Sequence, residues 1–136
     1  MSTIVEFFIA PGDDAAAAVA GYGPDGMYEA AQYGNFSPGI AMDEWQSAFG
    51  IVRGDGPRTV ADDGSSFVFA APASLQAALA AANDEQLTEA AARWRELRAD
   101  DGEEIHPEFA SDILSEMASL ARTAIERGHQ LYCWWG

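Results

Sequence analysis

The chain has no lysine and a single cysteine. Seven arginines therefore carry all of its permanent positive charge, against 22 Asp and Glu, and the formal net charge is −15. A field of that sign repels phosphate backbones and anionic lipid headgroups. No nucleic acid and no membrane surface is expected as a partner, whereas a basic protein partner is. The lone Cys133 excludes an internal disulfide, which suits a reducing, cytoplasmic location. The start of the chain lacks a basic segment, and Glu6 interrupts its first apolar run, so no secretory signal is expected. No stretch approaches the roughly 18 uncharged apolar residues that a membrane-crossing helix needs.

Several catalytic signatures are missing too. There is no Gly-x-Ser-x-Gly elbow for a nucleophilic serine, and without lysine a phosphate-binding loop loses its usual cation. His106, His129 and Cys133 make a short metal-ligand inventory. Along a strand, His129 and Cys133 would share a face about 13 Å apart, too far for one metal ion. The acids of Asp100-Asp101-Gly102-Glu103-Glu104 are adjacent rather than alternating, which fits a solvated loop and not a calcium loop. No metal, no cofactor and no catalytic residue is expected. Asn35-Phe36-Ser37 and Arg53-Gly54-Asp55 spell a glycosylation sequon and an adhesion tripeptide, both short enough to arise by chance.

What is present is enough apolar material for a core. With 136 residues, 49% of them hydrophobic, residues 1–136 fit a single domain that buries roughly two-thirds of its unfolded surface. The expected class is α+β: a small antiparallel or mixed sheet made of an N-terminal strand, a central hairpin and a C-terminal strand, packed by about three to five helices. Residues 3–10 are β-branched and aromatic at both parities, which predicts a strand covered on both faces. Pro11-Gly12 ends it, and Asp13 and Asp14 are placed to cap a short alanine-rich helix closed by Gly21. Residues 21–40, rich in Gly and Pro with Tyr22, Tyr28, Tyr33 and Phe36 between them, read as an irregular loop. Asp43 is then expected to cap a short helix that carries Trp45, Ala48 and Phe49 and stops at Gly50.

Asp62-Asp63-Gly64-Ser65 lies between two β-prone runs, the spacing of a hairpin. Pro72 ends the second run and opens a helix through Leu75 and Leu79. Asn83 and Gln86 have the spacing of a capping box. Behind them Leu87, Ala91 and Trp94 recur at helical intervals, with Leu97 beside them. Pro107 opens the longest helix, about 107–127, with Phe109, Ile113, Met117, Leu120, Ala124 and Ile125 as its apolar stripe. Gly128 ends it, and residues 129–135 follow as a strand. Leu131, Cys133 and Trp135 point to one side of that strand, Tyr132 and Trp134 to the other.

The strand Ile4 to Ile9, together with the run Leu120-Ala121-Arg122-Thr123-Ala124-Ile125-Glu126-Arg127, the turn at Gly128 and the terminal strand, resembles the outline of YfbM-like small bacterial proteins. The resemblance covers about a third of the chain, and the aromatic loop and the hairpin depart from it. It implies a fold and no activity, since that family has none assigned. The alanine-rich, lysine-free composition is similar to that of actinobacterial proteins.

Three functions follow as expectations. The first is a non-enzymatic, acidic protein-interaction domain of the immunity or inhibitor kind, docking on a basic surface. The second is a small-ligand-binding domain or small enzyme with a pocket between sheet and helices. The third is a structural accessory subunit, a homodimer through the terminal strand. The candidate binding residues are Tyr132, Trp134, Trp45 and His129. If helices cover only one face of the sheet, either Tyr132 with Trp134 or Trp135 with Leu131 faces outward.

Overall fold

In the computed structural model, residues 4–21, 23–24, 28–34, 37–51 and 55–136 are described. Thr3, Tyr22, Gly26, Asn35, Phe36, Arg53 and Gly54, which figure in the expectations above, lie outside them. Within the described residues, β1 (Ile4–Ala10), β2 (Ala30–Gly34), β3 (Arg58–Asp62), β4 (Phe67–Ala70) and β5 (Gln130–Trp135) form one sheet in the order β2-β1-β5-β4-β3. Every neighbouring pair is antiparallel. The helices are α1 (Asp13–Ala17), α2 (Pro38–Ala48), α3 (Ala73–Ala81), α4 (Asp84–Asp100) and α5 (Pro107–Arg127). The fold is α+β, with an antiparallel sheet.

β1 and β5, both apolar at both parities, pair with each other, so the first and last strands lie side by side inside the sheet, with β5 at its centre. One face carries Val5, Phe7, Ile9, Leu131 and Cys133, and α2, α3, α4 and α5 pack over it to form the main core. The other face carries Phe8, Ala10, Val68, Ala70 and Tyr132, and meets Ala16 of α1 with Val19 and Ala20 just beyond it. Full burial of one such large apolar side chain stabilises the fold by about 1.5–3 kcal/mol.

The local signals act as their chemistry predicts. The Asn83 side chain accepts from the Gln86 backbone N–H, and Gln86 returns the bond to Asn83, so the capping box at the head of α4 is complete. Gly128 sits at φ 67°, in the left-handed region that turns α5 back towards β5. In the hairpin, Asp63 accepts from the backbone N–H groups of Ser65 and Ser66, and Asp62 from that of Gly64.

Four expectations are corrected. Residues 30–34 are not loop: Ala-Ala-Gln-Tyr-Gly has weak strand propensity, but the free edge of β1 offers it a backbone ladder. Asp43 does not cap α2. That helix begins earlier, with Ser37 as its cap and Pro38 at its first position. Asp13 does not cap α1 either; Gly12 takes the cap position without a side-chain bond, and the Asp13 carboxylate is used elsewhere. Finally, Ile125 leaves the α5 stripe and is 63% exposed. The buried stripe runs through Ala110, Leu114, Met117, Ala121 and Ala124, and Ile125 stands about 100° round the helix from Ala124.

Candidate functional site

Both faces of the sheet are covered, and that decides the fate of the aromatic candidates. Tyr132 has no exposed area: its ring stacks on Phe8 at 5.7 Å, and its hydroxyl donates to Asp13 at 2.9 Å. Trp45 is fully buried between Phe7 and Trp94, with ring centroids at 5.5 and 5.4 Å. Neither ring can touch a partner docked on the native surface. Trp134 is half-buried, and its indole N–H donates to the Ala20 carbonyl at 2.9 Å, so it holds the segment after α1 against the sheet. His129 is half-buried where α5 turns into β5; its backbone N–H donates to the Ala124 carbonyl at 2.7 Å, and its Nδ1 has no hydrogen-bond partner among the described residues. The four residues are not brought together as a site. His106, named in the metal-ligand inventory, caps α5 by accepting from the Glu108 N–H through Nδ1.

Cys133 is fully buried, and burial pushes its thiol well above the usual range, with Glu6 adding to the shift. That suits a packed side chain and not a nucleophile. Among the described residues, no group of three His, Cys, Asp or Glu is placed to hold a metal ion. No described helix is long and apolar enough to cross a membrane.

The surface feature with chemical character lies elsewhere, in a cleft of about 290 Å³ between α2, the C-terminal half of α4 and the start of α5. Its floor is Trp94, buried in the core, and Ile40, Ala41, Ile105 and Phe109 supply further apolar lining. Ile40, in the first turn of α2, is 53% exposed. Phe109 packs edge-on against Tyr33 at 6.1 Å and tilts over Trp94 at 6.2 Å.

The polar part of the cleft is organised by Arg98. Its guanidinium meets Glu44 at 2.8 Å, and both side chains are largely buried. Glu44 also accepts from the Trp94 indole N–H at 3.2 Å, which ties the ion pair to the floor. After Gly102, at φ 85°, the chain folds back so that the Glu103 N–H donates to the Arg98 carbonyl and the Glu103 carboxylate reaches the guanidinium at 3.1 Å. Asp101 takes a third position on the same group. Glu44 first and Glu103 after it hold the guanidinium more firmly charged than usual. Arg95 fixes the rim by donating from Nε to the Ile105 carbonyl at 3.0 Å. Glu44, Glu103 and Glu104 line the cleft against Arg98, and the rim adds Asp101 and Arg95, which leaves two negative charges in excess.

A larger, shallower groove of about 640 Å³ runs between α2, α3 and α4. Alanines dominate its lining, and Glu89 and Arg93 balance each other in charge. It offers space but little to recognise. The α2–α4–α5 cleft combines an exposed aliphatic side chain, an aromatic floor and a charge surplus. Its one signal in the sequence is Ile40, a large apolar residue off the buried stripe of its helix; reading it requires knowing that α2 starts at Pro38.

No protein-family model, no curated protein and no solved structure matches this chain.

Proposed function

We propose that this protein is a non-catalytic interaction domain that docks on a basic partner, as an immunity or inhibitor protein does, and that the α2–α4–α5 cleft is its contact surface. The observation that carries the reading is the exposed Ile40 beside the Trp94 floor, set within a surplus of carboxylates. An apolar anchor site ringed by charge is the usual anatomy of a protein contact. The net charge of −15 draws a basic partner towards it and raises the rate of encounter. At about 290 Å³ the cleft suits one or two large side chains and lies at the lower limit of small-molecule pockets. A dimer through the terminal strand has no support, because both edges of β5 are already hydrogen-bonded to β1 and β4.

Affinity capture with the wild-type chain and the Ile40→Glu variant tests the reading. A partner retained by the wild type should weaken as salt rises and bind the variant at least about tenfold less well. A specific partner indifferent to both salt and Ile40→Glu would overturn it.

A further inference from the structure

The chemistry of the cleft specifies what kind of chain fills it. We infer that it takes an amphipathic basic segment, which lays one aliphatic side chain against Ile40 and Ile105 over Trp94 and brings a lysine or arginine to Glu103 and Glu104. This rests on the reading above and adds the identity of the contacting element. The lining fixes the apolar half: Ile40, Ile105, Phe109 and Trp94 present carbon, and an aliphatic group placed among them removes the exposed Ile40 from water.

The burial of the carboxylates fixes the charged half. Glu44 is 15% exposed and is bonded to both Arg98 and Trp94, so it stays with the fold. Glu103 is 65% exposed, and Glu104 is exposed beside it. A visiting cation can engage these outer two while Arg98 keeps Glu44. Other occupants meet repulsion: a second copy brings a net charge of −15, and a phosphorylated peptide or nucleic acid brings phosphate to a surface already rich in carboxylate.

The test uses a short helical leucine–lysine peptide and an oligolysine of equal charge as probes. The readouts are affinity and the NMR resonance of the Trp94 indole N–H, which donates to Glu44 at the cleft floor. The amphipathic peptide should bind at least about tenfold more tightly than oligolysine at low salt and shift the Trp94 indole signal. Ile40→Ser should remove that advantage without unfolding the chain, since Ile40 is 53% exposed. The double variant Glu103→Gln/Glu104→Gln should weaken binding and flatten its salt dependence. If both probes bind equally, or if the amphipathic peptide binds with no Trp94 shift or no dependence on Ile40, this inference is overturned and the broader reading of an acidic docking domain survives. If neither probe binds at low salt, both readings fall.

Discussion

On one face of the sheet, Phe7, Ile9, Leu131 and Cys133 are buried by four helices, and the contacts are almost entirely apolar. On the other, Phe8, Val68 and Tyr132 are buried by a five-residue helix and the turn after it. That cover buries fewer large side chains than the four helices do, and polar ties hold it at both ends. Asp13, at the start of α1, accepts from Tyr132 and pairs with Arg58 at 2.7 Å. The Ala20 carbonyl, past its end, accepts from Trp134 and from Ser66, and Ser66 in turn is bonded to Asp63. One face is held by volume and the other by a few directional bonds. The first should be sensitive to lost carbon, the second to lost hydrogen bonds and to pH.

The largest expected effect is on the helix-covered face. Trp45→Ala leaves a cavity between Phe7 and Trp94 and should cost about 3–5 kcal/mol in denaturant unfolding. A much smaller loss would mean that the main core collapses around the gap and is less closely packed than its burial implies. Tyr132→Phe keeps the stacked ring and removes only the hydroxyl bonded to Asp13, for about 1 kcal/mol. If it cost as much as Trp45→Ala, the contrast between the two faces would be lost.

The smallest effect is a local one in acid. Arg58 and then Tyr132 hold Asp13 below the usual carboxylate range, and the Ser66 and Ser65 N–H groups do the same for Asp63. A carboxylate whose folded value is depressed stabilises the fold fully above its unfolded value and loses that contribution as pH falls through the folded one. Below the ordinary Asp range, the amides of Ala16 and Gly23 should therefore lose hydrogen-exchange protection while those in the middle of α5 keep theirs. Equal losses on both faces would show that the α1 segment does not open separately.

Much of the fold was legible in the chain because its signals are local. The Asn83 and Gln86 capping box, the Asp-Gly hairpin, the long helix from Pro107 and the left-handed stop at Gly128 depend on residues within a few positions of one another. Strand β2 was not legible, because its stability comes from a ladder with β1 and hardly from its own residues. Asp13 was misread for a similar reason: a first-turn aspartate usually serves its own helix, but here Tyr132 and Arg58, distant in sequence, claim it. The candidate site was the least legible. Ile40 and Glu44 come from one stretch, Arg98 and Glu103 from another more than 50 residues away, and none belongs to a motif.

By itself, then, the sequence determined the class of the fold, the strongly acidic character and the parity of the terminal strand, because composition, period and capping are properties of neighbouring residues. Only the tertiary structure decided that this strand lies at the centre of the sheet, with Tyr132 buried on one side and Cys133 on the other. It also decided that Ile40 is left 53% exposed, beside the carboxylates around Arg98. Which apolar groups remain in water depends on how much area the neighbouring elements cover, and that is fixed only once the helices have packed.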